Sequence, residues 1–218
     1  MSNIVSAFIS PHPPIILPSV GSKEDREKVK TTIESLYVLS KELKKTNPQQ
    51  IVISSPHPDW GFEVPLYFLA NNFQGKIDMV LTGSESPEFY FNEGKRIYKN
   101  LAEDKKYALI ASGDLSHCLK EDGPYGLNPQ GGKFDKELIE SLKKKDIENI
   151  LKLDNKYPEA GECGLRSICF LLGMLEANST RASTELSRMS SGQVWQPEIL
   201  SYEFPFGVGY LVANFKLK

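Results

Sequence analysis

Short apolar runs alternate with longer amphipathic segments along the first half of this chain. Residues 4–9 (Ile-Val-Ser-Ala-Phe-Ile) and 51–53 (Ile-Val-Ile) are apolar runs that end near proline, which is typical of buried strands. Between them, the apolar positions of residues 29–43 recur at helical spacing in a charged segment that stops near Asn47. Strand, helix and strand in this order predict a right-handed βαβ unit, whose two strands end at one edge of a sheet.

The rest of the chain continues this alternation. Further strands are predicted at residues 64–69, 79–81, 107–111, 198–202 and 208–215. Helices are predicted at residues 87–103, 134–144, 146–153 and from 162 to about 177. We therefore expect an α/β fold with a central mixed or mainly parallel sheet and helices on both faces, formed as a single domain over residues 1–218.

Composition and charge exclude several classes of function. The net charge of −2 and the isoelectric point near 6.0 provide no basic surface of the kind that nucleic-acid binding needs. Cys118, Cys163 and Cys169 form no C-x-x-C pair, which argues against a disulfide framework and for a reducing compartment. Because the chain enters its first strand without a signal-like segment and contains no long apolar stretch, we expect a cytoplasmic protein without a membrane partner.

All three histidines follow strand-like runs, in short turn motifs. The motifs are Ser10-Pro11-His12-Pro13-Pro14, Ser55-Pro56-His57-Pro58 and Gly113-Asp114-Leu115-Ser116-His117. Ligands of open α/β sheets bind outside the carboxyl ends of the strands, so these side chains can converge there. Since imidazole is the commonest metal ligand in proteins, the pattern indicates a metal or catalytic site, although a lone histidine is more often structural.

Glu162 is the best acidic partner for the histidines, because a glycine precedes it and an apolar helix follows it. Two imidazoles and one carboxylate on one face form the ligand set of non-haem Fe(II) oxygenases. The alternative for Glu162 is an acid stabilised at a helix N-terminus. Cys163 is a rival ligand that can bind a metal as thiolate or serve as a small buried side chain.

The motifs together resemble a known family. The three histidine motifs, Glu159-Ala-Gly-Glu-Cys-Gly-Leu-Arg-Ser167 and Ser201-Tyr-Glu-Phe-Pro-Phe-Gly-Val-Gly-Tyr210 are similar to those of the class III extradiol ring-cleavage dioxygenases, in their LigB-type catalytic subunit. The resemblance is strongest to the branch related to the Memo and AmmeMemoRadiSam proteins. It covers nearly the whole chain in the same motif order, and it implies a LigB-like fold.

The resemblance implies a role for each histidine. His12, His57 and Glu162 correspond to the Fe(II) ligands of the family, and His117 corresponds to its acid/base beside the bound catechol. In Memo-like relatives a cysteine matches Cys163, so the third ligand here is either Glu162 or Cys163. The implied reaction is extradiol cleavage of a small catechol-type aromatic by dioxygen; Zn(II) suits the same donors as Fe(II).

Four other polar residues are candidate substrate contacts. Asp114 and Ser116 would orient His117 or the substrate, or else cap the turn that contains them. Asn128 and Arg166 would contact the substrate, or else serve as loop and helix-surface residues. The glycine-rich segment 121–132 is expected to border the pocket entrance.

Two alternatives to ring cleavage stay open. One is a Memo-like metal-binding protein that acts in an interaction or modification pathway, and the other is a zinc-dependent hydrolase. The oligomeric state is also open, and a homo-oligomer is compatible with the sequence.

Overall fold

Six strands form one sheet in the computed structural model of this protein, which describes residues 3–185 and 195–217. The strands are β1 (Ile4–Ser10), β2 (Gln50–Ser55), β3 (Lys76–Leu81), β4 (Tyr107–Ser112), β5 (Trp195–Glu203) and β6 (Tyr210–Leu217). Their spatial order is β3-β2-β4-β1-β6-β5. Neighbours among the first four are parallel, whereas β6 pairs antiparallel with both β1 and β5. The prediction of a mixed sheet is confirmed.

Helices cover both faces of this sheet, as predicted. They are α1 (Lys23–Lys28), α2 (Lys30–Thr46), α3 (Trp60–Leu69), α4 (Pro87–Lys99), α5 (Pro129–Lys144), α6 (Ile147–Ile150), α7 (Leu153–Lys156) and α8 (Leu165–Glu185). Alternate strand residues enter two cores, since side chains along a strand point to opposite faces. In β4, Leu109 packs in the core that contains α4, α5 and α8, and Ile110 packs in the core that contains α2 and α3.

Residues 64–69 form part of a helix, so the strand predicted there is wrong. Phe62, Val64, Phe68 and Leu69 are buried whereas Glu63 and Tyr67 are exposed, which is a helical periodicity over a run too short to distinguish from a strand by its apolar character. Pro65 lies inside the helix. A proline has no backbone N–H, so the carbonyl four residues earlier loses its usual helical donor.

Helix α8 is apolar because it lies between the sheet and α4. A Cβ atom on Gly173 of α8 would collide with the carbonyl of Phe91 in α4, and one on Gly94 of α4 would collide with the carbonyl of Phe170 in α8. These two glycines let the helix backbones approach closely. Among the described residues, no helix combines the length and apolar character that crossing a lipid bilayer requires.

Candidate metal centre

The three histidines leave the same edge of the sheet. Ser10 at the end of β1 pairs in register with Ser112 at the end of β4, and Ser54 near the end of β2 pairs with Ala111. His12 and His57 follow their strands by two residues, and His117 follows β4 by five. The parallel register therefore carries residues that are far apart in sequence to one place.

His12, His57 and Cys163 form a cluster of potential metal ligands. One ligand atom from each lies within 4.8 Å of the others. The Nε2 atom of His12 is 3.4 Å from the Sγ atom of Cys163, and the two imidazole rings have centroids 5.2 Å apart. Ligand atoms about 3.5 Å apart fit a tetrahedral ion with bonds of about 2.0–2.3 Å. The donor set thus fits a divalent metal after small side-chain adjustments.

A chain of hydrogen bonds orients the ring of His12 toward the cluster. The hydroxyl of Ser112 donates to the carbonyl of Gly61, which lies four residues before Pro65 and so has no helical donor from residue 65. The only hydrogen of this hydroxyl is already donated to Gly61. Ser112 Oγ therefore accepts a hydrogen bond from Nδ1 of His12, 2.9 Å away. The proton therefore stays on Nδ1, and the lone pair of Nε2 faces Cys163.

Asp114 links the loop of His12 to the loop of Cys163. Its carboxylate accepts a hydrogen bond of 2.9 Å from the backbone N–H of His12, and its own N–H donates to Cys163 Sγ at 3.3 Å. The Gly164 N–H donates to the Asp114 carbonyl at 2.9 Å. A Cβ atom on Gly113 would collide with Gly164, so the two loops touch backbone to backbone. This packing fixes the distance between the first and third potential ligands.

Burial sets the protonation states of His12 and Cys163. It lowers the pKa of His12 to about 3, helped by repulsion from His57 and His117. It raises the pKa of the Cys163 thiol well above its ordinary value, helped by the negative charge of Asp114. His12 is therefore a neutral imidazole at pH 7, as a metal ligand must be. Binding of a cation would release the proton of Cys163.

Glu162 points to the N-terminus of α8 and does not join the cluster. Its carboxylate accepts a 2.6 Å hydrogen bond from the Leu165 N–H and a 3.4 Å hydrogen bond from Arg166. Burial raises its pKa to about 7, against the opposing effects of these two donors. Of the two alternatives for the third ligand, the structure places Cys163, and not Glu162, beside the imidazoles. Glu162 instead occupies the helix N-terminal position that was its other interpretation.

A cavity of about 580 Å³ opens beside the cluster. Its wall includes His57, Glu162, Cys163 and His117, with Trp60 and Tyr125 among the exposed residues of the wall. The Trp60 ring centroid lies 5.2 Å from that of His57, and the Tyr125 ring centroid lies 5.1 Å from that of His117. The cavity is of a size that small-molecule sites have, and aromatic rings border two of its imidazoles.

His117 lines this cavity without joining the cluster. Its Nε2 atom is buried and has no hydrogen-bond partner within the part of the chain that the structure describes. Burial and the proximity of His57 lower its pKa. An orphaned imidazole nitrogen in a pocket is unusual, because buried polar groups are normally paired. Its lack of a partner in the described protein makes it a candidate proton acceptor.

Hydrogen bonds to Asp135 hold the turn that carries His117. The Asp135 carboxylate accepts hydrogen bonds from the Ser116 N–H at 2.8 Å and from the Tyr202 hydroxyl at 2.5 Å. Burial raises the pKa of Asp135 to about 6, although both donors oppose the shift. The N–H of His117 itself donates to the Gly161 carbonyl at 3.2 Å. His117 is therefore held by its backbone while its ring nitrogen is left unpaired.

The structure places one of the four candidate substrate contacts on the cavity wall. That residue is Asp114. The hydroxyl of Ser116 is fully buried and donates to the Ala160 carbonyl at 2.6 Å. Asn128 caps α5 and donates to Glu159, while Arg166 bonds the Glu85 carbonyl at 2.7 Å and pairs with Glu162. The geometry gives these last three side chains structural partners instead of a position on the wall.

The segment 121–132 reaches the cavity through Tyr125, and α5 begins within it, at Pro129. Ser112, Tyr125, Asp135 and Tyr210 were not singled out from the sequence, although Tyr210 also lines the cavity. A signal for Ser112 was present, since it ends the strand that precedes the third histidine motif. Tyr125, Asp135 and Tyr210 approach the site from other elements, and periodicity cannot reveal such contacts.

Comparison with known proteins supports the family resemblance. The family model described as the catalytic LigB subunit of aromatic ring-opening dioxygenase matches residues 57–196, which include His57, His117 and Cys163. Protein CA_C1420 of Clostridium acetobutylicum is 30% identical over 95% of this chain, and the chain spans only 56% of that relative. The crystal structure of the uncharacterized protein JW3007 from Escherichia coli K12 has the same fold, with a TM-score of 0.61, 14% identity and coverage of 96% of this chain and 99% of that one.

Proposed function

The chain belongs to the family of the catalytic LigB subunit of aromatic ring-opening dioxygenases, and on this premise we propose that it catalyses extradiol cleavage of a catechol-type ring by dioxygen. The observation that carries the proposal is the cluster of His12, His57 and Cys163 beside a cavity that is also lined by His117, whose buried Nε2 has no partner among the described residues. A metal-ligand set and a free proton acceptor border the same space.

The proposed metal is non-haem iron, held by His12, His57 and Cys163. When bound, a divalent metal supplies Lewis acidity that lowers the pKa of a phenol, and positions open to substrate and dioxygen. The neutral ring of His12, with its proton fixed on Nδ1 by Ser112, presents Nε2 to the ion. Cys163 would bind as thiolate after losing its proton.

His117 is the proposed acid/base. A catechol in the cavity would transfer a phenolic proton to Nε2 of His117, and the imidazolium would later return that proton to the product. Its lowered pKa keeps the ring neutral and ready to accept at pH 7. Trp60 and Tyr125 would hold the planar ring of the substrate and limit the access of water.

A specific observation favours a second candidate function. Two imidazoles and a thiolate differ from the two imidazoles and one carboxylate of non-haem Fe(II) oxygenases, and thiolate ligands suit zinc. The second candidate is therefore a Memo-like metal-binding protein without ring cleavage, or a zinc-dependent hydrolase that uses the same cavity.

Anaerobic reconstitution followed by a catechol panel tests the first candidate. The protein is loaded with Fe(II) or, in parallel, with Zn(II), and the bound metal is quantified before oxygen is admitted. We expect oxygen uptake and a ring-opened product with the Fe(II) protein alone. Stoichiometric Fe(II) binding without oxygen uptake on any catechol would reject ring cleavage and favour the second candidate.

A further inference from the structure

The wall of the cavity carries no lysine or arginine among the residues that the structure describes. Lys120 and Arg166, which are close in sequence to lining residues, are held elsewhere. The Lys120 ammonium donates to the Pro205 carbonyl at 2.8 Å, and the Arg166 guanidinium bonds the Glu85 carbonyl at 2.7 Å and pairs with Asp154 and Glu162. Within the described part of the chain, therefore, no lysine or arginine side chain lines the space where a molecule would bind.

Acidic groups line the same cavity. Asp114 and Glu162 are among its lining residues, together with Cys163. Among the described residues, the basic groups that line it are the imidazoles of His57 and His117. A carboxylate on a bound molecule would meet two acidic residues here and, among the described residues, no permanently charged basic partner to compensate its loss of water.

Two aromatic rings complete the wall. Trp60 is 41% exposed and Tyr125 is 64% exposed, and each lies beside a histidine of the site. Exposed aromatic faces attract planar rings, and they also attract cations through their negative quadrupole. These faces provide no attraction for an anion.

We infer that the site accepts catechols whose other substituents are uncharged or cationic, and that it selects against catechols that carry a carboxylate. This inference rests on the proposed function, because it assumes that the catechol oxygens face the metal. The catechol oxygens would then neutralise the positive charge of the ion. A carboxylate elsewhere on the substrate would therefore lie against the acidic and aromatic wall.

Binding of three matched catechols tests this selectivity. The full chain is loaded with Zn(II), which supports no redox turnover, and is titrated by calorimetry with 3,4-dihydroxybenzoate, 4-methylcatechol and dopamine. We expect the neutral and cationic compounds to bind at least about tenfold more tightly than the anionic one, which corresponds to one missing charge-assisted contact. Equal or tighter binding of the benzoate would overturn the inference and leave the proposed function intact. Absence of binding by all three would reject the proposed function, and the inference with it.

A variant that adds a cation to the wall provides a second test. Tyr125→Arg places a guanidinium beside His117, and we expect it to improve the affinity for 3,4-dihydroxybenzoate by about tenfold relative to 4-methylcatechol. Tyr37→Arg is the matched control, because Tyr37 is an exposed tyrosine on α2 that is not part of this wall. An unchanged preference in Tyr125→Arg, or the same change in Tyr37→Arg, would contradict the importance of charge at the wall.

Discussion

The inner part of the site and its mouth are built in different ways. The inner part consists of His12, His57 and Cys163, and the mouth consists of Trp60, His117 and Tyr125. His12 is 2% exposed and is held by hydrogen bonds at its backbone and at its ring, whereas Tyr125 is 64% exposed. Tyr125 lies in a short loop between Leu119 and Leu127, which form an isolated bridge.

This difference separates two tasks. The inner part depends on contacts between strand ends and loops that are also part of the fold, so its ligand positions are preorganised. The mouth includes the exposed side chains of Trp60 and Tyr125. We therefore expect substitutions in the inner part to affect metal binding, and substitutions in the mouth to affect substrate binding and turnover.

The largest expected effect is the loss of turnover when His117 is replaced. His117→Ala should retain the bound metal and reduce kcat of the Fe(II) protein about a hundred- to ten-thousandfold, because a positioned acid/base contributes that much. Metal content and steady-state oxygen uptake are the two measurements. Tyr125→Phe, which keeps the neighbouring ring, should retain both. Loss of the bound metal in His117→Ala would instead identify His117 as a metal ligand.

The next effect concerns the third ligand. Cys163→Ala should weaken metal binding about a hundredfold. The ligands of a zinc site together contribute a binding free energy of roughly 10–16 kcal/mol, and this variant removes one of them. Glu162→Gln, one residue away, should bind metal with nearly unchanged affinity because its carboxylate is engaged at the start of α8. Competition with a chromophoric chelator measures both affinities. The reverse ranking of the two variants would make Glu162 the ligand.

Removing the support of His12 should have a smaller effect on metal affinity. Ser112→Ala removes the acceptor for Nδ1 of His12, and such partners of ligating histidines typically contribute about ten- to a hundredfold. Ser116→Ala is the matched control, because its hydroxyl is equally buried but bonds the Ala160 carbonyl. It should lower the free energy of unfolding and leave metal affinity in place. Equal metal affinities of the two variants would remove Ser112 from the positioning of His12.

Metal affinity should also depend on pH. Burial raises the pKa of the Cys163 thiol, so the thiol is protonated between pH 6 and 8 and must release its proton when it binds metal. The apparent affinity should therefore rise about tenfold per pH unit over this range. His12 adds nothing to the slope, because its pKa is lowered to about 3. Chelator competition at several pH values measures the slope, which should flatten in Cys163→Ala.

The smallest effect should appear in hydrogen exchange at the mouth. We expect the backbone amides of residues 121–126 to exchange rapidly and to slow when 4-methylcatechol binds to the Zn(II) protein, because Tyr125 would contact it. The amides of β1 and β4 should exchange slowly in both states. Mass spectrometry of peptic fragments distinguishes the two regions. Unchanged exchange in 121–126 on binding would assign this segment to the surface alone.

The sequence predicts the parts of this fold that repeat a local pattern. Apolar runs identified all six strands, and their order predicted the edge where the histidines meet. The helix at residues 64–69 was missed because a short apolar run has no periodicity that distinguishes a buried strand from a buried helix.

The choice between Glu162 and Cys163 could not be made from local patterns. Adjacent residues point in different directions, and their directions depend on where α8 begins. The start of that helix captures Glu162 through the Leu165 N–H, and the backbone contact between Gly113 and Gly164 turns Cys163 toward His12. Both interactions involve packing between distant segments, which one sequence does not display.

Pro65 has a consequence for engineering. A search for stabilising substitutions would select it, because a proline inside a helix weakens that helix and alanine would restore an amide at this position. The restored amide would compete with Ser112 for the Gly61 carbonyl, and the tautomer of His12 depends on that bond. Pro65→Ala would then raise thermostability and lower metal affinity, although Pro65 is not one of the potential ligands. The helical hydrogen bond that Pro65 leaves out is therefore needed for the geometry of the site.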